Sequence, residues 1–380
     1  MVYCFFNSSM QIPMKKILFV INSLGPGGAE RQLIELIKGL RCSYECHLAI
    51  LQDDEDHYLE DAHQLCKSVS LFPRRSTYDF SPIWQIAKAC RQLNIDIVQT
   101  YLPLGSFYGV LAAKLAGRPS VCCAIRDAKD DNNKKRWLIL LLEKLSTVMV
   151  ANSKAGLCNR FGLLRDNMKV VYNGIDFSRF DLDKEKTEEV KSELNIGNAY
   201  AVAMVAAFAN RKDHETLVKA LACLVREGRD IKLLLVGEGI TKAAVTALAL
   251  SEGVLDRIIF TGFRSDVLYL IKNMNLCVLL SNDKVHQEGI SNSIIESMAM
   301  GIPVVATNSG GTVEVIDGSN GILVADGSVV AVASAIAKMM DDSLVYERCS
   351  TQAIATIKSK MSYDHYISEY QAIYKHLFDG

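Results

Sequence analysis

The sequence predicts an α/β protein built from two doubly wound parallel sheets. Three observations carry this. Short β-branched runs alternate with helical patterns along the whole chain, as in sheets covered by helices on both faces. The 380 residues are enough for two domains of ordinary size. A charged stretch near the middle, Asp181 to Glu193, has few large apolar residues between its charges and reads as the linker between them.

The first half is expected to run as follows. Lys16 to Asn22 reads as a buried strand, followed by the loop Gly25-Pro26-Gly27-Gly28 and a helix from Ala29 to Leu40. Further strands are predicted at Cys46 to Leu51, Ser68 to Phe72, Asp96 to Tyr101, Val121 to Arg126, Thr147 to Asn152 and Lys169 to Tyr172. Helical patterns at Ile83 to Leu93 and Phe107 to Leu115 lie between them. The first domain is set at 1–180, with 1–13 as an extension ahead of Met14-Lys15-Lys16.

The second domain, 181–362, repeats the architecture without repeating the sequence. Its strands are expected at Ala201 to Phe208, Lys232 to Val236, Ile258 to Phe260, Leu276 to Leu280, Val304 to Ala306 and Ile322 to Val324. Helices are expected at Glu215 to Glu227, closed by Gly228, and at Ser328 to Met339. The tail from Tyr363 reads helical with a stripe of tyrosines, a pattern of packing.

Bulk properties narrow the function classes. Hydrophobic content of 49% and charged content of 22% are those of a soluble globular protein. A formal net charge of −1 supplies no global basic field, so nucleic acid is not an expected partner. The eleven cysteines show neither C-x2-C pairs nor the histidine spacing of a zinc site, and a reducing cytoplasm fits them. No apolar stretch approaches the roughly eighteen residues that span a bilayer. Residues 1–13 lack a basic start ahead of an apolar core, so they do not make a signal peptide. Asp54-Glu55-Asp56 and Asp181-Leu182-Asp183 match the short acidic D-x-D metal motif, but they read as solvated loops.

The stretch Glu288 to Glu296 holds the candidate chemistry. It follows the strand at Leu276 to Leu280 and precedes a helix starting at Asn292 or Ser293, which ends before Gly301-Ile302-Pro303. In an open parallel sheet such a loop sits at the carboxyl end of a strand, where ligands bind. The free N–H groups and positive dipole of the helix that follows suit a phosphate. Spacing alone leaves the two acids open. Ser293-Ile294-Ile295-Glu296 fits a capping box, and Glu288 fits a solvated loop acid.

With seven residues between them, Glu288 and Glu296 resemble the E-x7-E signature of the retaining nucleotide-sugar glycosyltransferases of family four. Gly301-Ile302-Pro303-Val304-Val305-Ala306-Thr307 and Gly310-Gly311-Thr312-Val313-Glu314 resemble that family's continuation. The resemblance implies the GT-B fold, two Rossmann-like domains facing a central cleft, with the donor on the second domain. It also implies that the helix at 363–380 packs back onto the first. Asn173-Gly174-Ile175-Asp176 resembles the motif at which such chains leave the first domain.

The same resemblance assigns roles. Glu296 would bond the donor's ribose hydroxyls and Glu288 would contact the transferred sugar. The amides of Gly289, Ile290, Ser291, Asn292, Ser293 and Ile294 would hold the diphosphate. Lys212 would stabilise charge on the leaving phosphate. The arginine usually found five residues earlier is Ala207 here, which leaves Arg211 as the second cation. Gly262-Phe263-Arg264 resembles the strand end that reads the base, and Gly237-Glu238-Gly239 a glycine turn beside it. Gly27 and Gly28 resemble a G-G-A-E loop near the donor phosphates or the acceptor, and a tight turn needing glycine flexibility is compatible with that role. Where many relatives carry a histidine this chain has Gln99-Thr100-Tyr101, so Arg126, in Arg126-Asp127, is the candidate on the acceptor side.

The function implied is metal-independent, cofactor-free transfer of a sugar, with retention, from a nucleotide-diphosphate donor. Family frequency favours UDP. The acceptor would be a glycan or lipid-linked glycan in polysaccharide or lipopolysaccharide synthesis. Peripheral contact with the inner face of a membrane is a further expectation, since Lys134-Lys135-Arg136-Trp137 puts a basic start on an apolar helix. A helix covering the sheet is the alternative there. Two other functions stay open. An NAD-dependent oxidoreductase would use Gly25 to Gly28 and Asp53, although G-x-G-x-x-G from Gly25 lands on Glu30. A nucleotide-sugar-binding protein without turnover would account for Ala207.

Overall fold

The structure, a computed structural model, describes residues 14–52, 57–130, 133–325 and 327–379. The 1–13 extension, Asp53 and the Asp54-Glu55-Asp56 run lie outside the described residues, as do the side chains of Lys134 and Lys135.

The first half alternates β1 (Lys16–Ile21), α1 (Gly28–Leu40), β2 (Glu45–Ile50), α2 (Leu59–Leu65), β3 (Ser68–Leu71), α3 (Ser81–Gln92), β4 (Ile97–Tyr101), α4 (Pro103–Ala116) and β5 (Ser120–Ile125). Then come β6 (Asp127–Asp130), α5 (Asn133–Leu145), β7 (Val148–Ala151), α6 (Lys154–Phe161) and β8 (Met168–Val170). Seven of these strands form one sheet in the order β3-β2-β1-β4-β5-β7-β8. β1 runs parallel to β2 and β4, and β4 parallel to β5.

After a 3-10 turn at Phe177–Phe180 come α7 (Lys184–Leu194), β9 (Tyr200–Val205), α8 (His214–Arg226), β10 (Ile231–Val236), α9 (Lys242–Ser251), β11 (Ile258–Gly262) and α10 (Val267–Lys272). The chain continues through β12 (Leu276–Leu279), β13 (His286–Glu288), α11 (Asn292–Ala299), β14 (Val304–Thr307), α12 (Thr312–Val315) and β15 (Ile322–Val324). It closes with α13 (Val329–Asp341), α14 (Ser343–Lys360) and α15 (Tyr363–Asp379). The second sheet has the order β11-β10-β9-β12-β14-β15 and is parallel throughout. Both strand orders reverse direction about their first strand, as in doubly wound folds.

By compactness the chain divides into two units, Met1–Ala124 with Leu140–Met149 and Gly380, and Ile125–Ile139 with Val150–Asp379. In the first, Leu18, Val20, Ile86 and Val98 pack with Tyr108 in a core from which water is excluded. In the second, β9 and β10 are apolar on both sides, because helices cover both faces of a parallel sheet.

Several expectations are corrected. The charged stretch at 181–193 is not an open linker. Asp183 caps it by accepting from Lys186 N at 2.8 Å, and it folds as α7 with Val190 and Leu194 buried. That cap also accounts for the D-x-D at Asp181-Leu182-Asp183. α14, eighteen residues long, carries no clean apolar period and was not expected from the sequence. β6 and β13 pair antiparallel in a separate two-stranded ribbon, with Glu288 opposite Asp127. In α15 the Tyr366 ring fills the space beside Gly174, so close that a Cβ there would lie 2.4 Å from the Tyr366 Cβ. Ile175 N donates to Met361 O at 2.9 Å next to it.

Candidate active site

The parallel strands β9, β10, β11 and β12 deliver their following loops to one edge of the second sheet. Lys212 lies in the loop after β9 and Gly237 in the loop after β10. Gly262 ends β11 and Phe263 follows it, 59% exposed. Glu288 and α11 follow β12. Gly237 and Gly239 have φ of 142° and 149°, and a Cβ on either would stand 2.3 Å from the carbonyl oxygen of Ala206 or Phe208. Only glycine allows that backbone to run so close beside the loop carrying Lys212.

Glu288 and Lys212 form the centre. Lys212 Nζ lies 2.7 Å from Glu288 Oε1, and His286 Nε2 lies 3.5 Å from the same oxygen. Both charged side chains are largely withdrawn from water. Burial draws the Glu288 carboxyl upward. The charge and hydrogen bond of Lys212, backed by His286 and Arg211, outweigh it and hold the carboxyl below its ordinary range. His286 is held down chiefly by burial, against the pull of Glu288 and Asp127. The solvated-loop reading of Glu288 therefore fails. Arg211 itself is exposed, and its carbonyl accepts from Asn282 N at 3.0 Å.

A neutral histidine lies close to the lysine. His214, 1% exposed, stacks on Phe208 with ring centroids 4.3 Å apart. Burial, then repulsion from Lys212, pushes its pKa down to about 4.

The capping box is also corrected. Ser291, not Ser293, is the N-cap of α11, and Ser293 lies inside the first turn, its Oγ 2.9 Å from Ser291 Oγ. Glu296 is therefore the fifth residue of α11, beyond the third position that a capping-box acid occupies. It is buried, with Arg179 Nη2 at 3.4 Å from Oε1. Arg179 was missed by sequence reasoning, although it stands three residues after the Asn173-Gly174-Ile175-Asp176 motif.

The amino end of α11 is tied to Arg126. Arg126 Nη1 donates to Asn173 Oδ1 at 3.1 Å, and Asn173 Nδ2 donates to Asn292 Oδ1 at 2.9 Å. Gly289 packs under this chain, where a Cβ would lie 2.4 Å from Arg126 O. Behind it, Gly311 N donates to Glu288 O at 2.8 Å. Glu314 accepts from the N–H groups of Lys154 and Ala155, both at 2.8 Å, and from Tyr172 Oη at 3.0 Å. It therefore caps α6 from a distant part of the chain. Arg160 braces β6 by donating to Asp127 O at 2.6 Å and to the Asp127 carboxylate.

Gly27 and Gly28 lie in the first unit at the start of α1. Gly27 is the N-cap with φ −84°, and neither residue takes a positive φ, but a Cβ on Gly27 would collide with the Glu30 carboxylate as it lies, so the tight turn uses glycine for space. Gln99 is buried and donates to Tyr101 Oη at 3.0 Å, a core role. Among the described residues no group of three or more His, Cys, Asp or Glu could hold a metal ion. The ten described cysteines are free thiols. No described helix is long and apolar enough to cross a membrane.

Two parallel sheets, with the loop-borne Lys212 and the acids Glu288 and Glu296 following strands of the second, define a GT-B glycosyltransferase. Residues 26–179 match the family model described as Glycosyltransferase Family 4, and residues 199–342 the one described as Glycosyl transferases group 1. The chain belongs to the glycosyltransferases of the family-4 type. It is similar to the capsular polysaccharide biosynthesis glycosyltransferase CapM of Staphylococcus aureus, 25% identical over 73% of this chain and 76% of CapM. It is also similar to the N-acetylgalactosamine-N,N'-diacetylbacillosaminyl-diphospho-undecaprenol 4-alpha-N-acetylgalactosaminyltransferase of Campylobacter jejuni, 24% identical over 92% of this chain and 98% of that enzyme. In structure it is similar to Anabaena HepE crystallised with UDP-glucose, with a TM-score of 0.85 at 22% identity, covering 95% of this chain and 99% of HepE. The match to Family 4 runs through the Gly27-Gly28 loop, so the oxidoreductase alternative falls.

Proposed function

We propose that this glycosyltransferase moves a sugar, with retention of anomeric configuration, from a nucleotide-diphosphate donor to a glycan or lipid-linked glycan acceptor. UDP is the donor nucleotide we favour, since HepE was crystallised with UDP-glucose. The relatives named for capsular polysaccharide and diphospho-undecaprenol substrates support an acceptor in surface-polysaccharide synthesis. The observation that carries the proposal is the buried Lys212–Glu288 pair beside the amino end of α11.

A diphosphate held by the amides of Gly289 to Ile294 would gain from the positive end of α11. It would compete with Glu288 for the Lys212 ammonium. As the glycosidic bond breaks, the β-phosphate gains charge and draws Lys212 more strongly, so the cation stabilises the transition state beyond the ground state. Glu288, released from the lysine, would be available to the transferred sugar. Glu296, oriented by Arg179, would accept from the ribose hydroxyls. Arg211 would add charge from the exposed side, in place of the arginine absent at Ala207. Arg126, through Asn173 and Asn292, would connect the acceptor side to the donor helix. Gly237, Gly262 and Phe263 would frame the base, and Gly27 and Gly28 would serve the phosphates or acceptor. No metal or cofactor is required in this scheme, because Lys212 and the helix supply the positive charge, and the leaving phosphate would accept the acceptor's proton. The division of labour would be acceptor handling by residues 1–180 and donor handling by 181–362. A cytoplasmic enzyme in peripheral contact with the membrane fits a lipid-linked acceptor.

The test is incubation with UDP-sugars, with and without chelator, and with undecaprenyl-diphosphate-linked or soluble glycan acceptors, reading UDP release and product anomer by NMR. Acceptor-dependent UDP release with retention in chelator is expected. An inverted product, or release that stops with chelator, would overturn the mechanism.

A further inference from the structure

The first unit exposes an aromatic and basic face that the transfer reaction does not use. Phe80, the N-cap of α3, is followed on one helical stripe by Trp84, Lys88 and Arg91. Phe80 is 48% exposed and Trp84 65%, and in the turn before them Tyr78 is 83% exposed. Lys88, Arg91 and Arg75 are exposed too. The opposite face of α3 buries Pro82, Ile86, Ala87 and Cys90, so the helix is fixed and cannot turn its aromatics inward.

The turn is equally fixed. Asp79 accepts from Arg75 N at 3.0 Å and from Ser81 N at 2.9 Å, and Tyr108 Oη donates to Asp79 O at 2.7 Å. Phe80 packs on Phe107 at 6.1 Å. Tyr78, Phe80 and Trp84 are therefore presented by a rigid platform, not by a wandering loop.

The sign of charge identifies the occupant. On this face Arg75, Lys88 and Arg91 are exposed, the last also donating to Leu115 O, against one acid, Asp79, which the N–H groups of the turn engage, while the whole chain carries −1. Large aromatics rimmed by cations on a helix lying along a surface are the chemistry of an anionic bilayer interface. A second copy of the same face would oppose cations to cations. We propose that α3 and the turn before it dock the enzyme on a membrane surface rich in anionic lipid, with Tyr78, Phe80 and Trp84 entering the headgroup layer and Arg75 and Lys88 meeting phosphates. This names the membrane-facing surface for the lipid-linked reading and rests on that reading for its purpose. Vesicle binding is measured without any transfer, so failure of one is distinguishable from failure of the other.

The chain has two tryptophans, Trp84 and Trp137, so each can be made the sole reporter. Trp137, on α5, is 75% exposed and marks the helix that sequence patterning suggested for the same role. Full-length Trp137→Phe and Trp84→Phe proteins would be floated with phosphatidylcholine vesicles with or without phosphatidylglycerol. The expected result is flotation only with phosphatidylglycerol and a blue shift of Trp84 emission in Trp137→Phe. Arg75→Glu with Lys88→Glu should weaken partitioning more than roughly tenfold. Tyr78→Ser with Trp84→Ser should weaken it comparably, and melting curves and transfer to a soluble acceptor should stay unchanged in both. The proposal is overturned by no flotation, by equal flotation on neutral vesicles, by a shift at Trp137 with none at Trp84, or by binding to a soluble acidic polysaccharide in place of vesicles.

Discussion

Lys212 Nζ stands 2.7 Å from Glu288 Oε1, and the two residues are neutralised by each other in a site largely closed to water. Neither half of such a pair can be removed without exposing the other to a buried, uncompensated charge.

Lys212→Ala should lower kcat by about a hundredfold or more, the scale of a lost oxyanion-type contact. It should also cost about 3 kcal/mol of stability, because Glu288 loses its main counter-charge. Steady-state rates and denaturant titration of the same preparation check both. An unchanged rate would remove Lys212 from the chemistry.

Glu296→Ala should weaken nucleotide binding about tenfold or more while leaving a bound donor's turnover less affected. Glu288→Ala should do the reverse. Arg179→Ala should follow Glu296→Ala in direction, because Arg179 lies 3.4 Å from that carboxylate and helps to orient it. Calorimetric titration with UDP and kcat measured at saturating donor separate the two patterns.

His214 makes a prediction about pH. Its folded pKa is about 4, against 6.5 without the burial. Between those values the unfolded chain takes up the proton and the folded one does not. The His214 contribution is therefore fully present above pH 6.5 and declines as pH falls toward 4, a loss of roughly 3 kcal/mol by linkage. His214→Phe, which can keep the stack on Phe208, should remove that slope. Stability of both proteins across this range, by urea titration, is the check.

Glu314→Ala should cost about 1–3 kcal/mol, since it strips three donors of their acceptor at the start of α6 and at Tyr172. Glu314→Gln can satisfy only part of the set and should fall between. Thermal melts rank the three, and a Glu314→Ala melt equal to wild type would show that α6 is capped by other groups.

Much of the architecture was legible because it is written in local pattern. β1, β9 and β12 are largely apolar runs and β4 is a β-branched and aromatic one, with helices between them, and parallel sheets covered on both faces demand such runs. α7 was misread because its length of charge hides Val190 and Leu194, two apolar residues spaced four apart. β6 and β13 were not expected because a three- or four-residue antiparallel ribbon between distant segments has no periodic signature. Among the candidate residues, Glu288, Glu296 and Lys212 were legible by resemblance, whereas Arg179 and His286 carried no motif of their own.

What the sequence by itself determined was the alternation of strand and helix, the glycine turns, and the placing of the acids and the cation after strands of the second sheet. Those depend on neighbours a few residues away. Tertiary structure alone decided that Glu288 rests against Lys212, that Glu296 stands beside Arg179, and that Glu314 caps a helix about 160 residues earlier in the chain. Such pairings need no periodicity or spacing along the chain. They are set by which buried charges and N–H groups the packed core leaves facing one another, where an unmatched one would be costly.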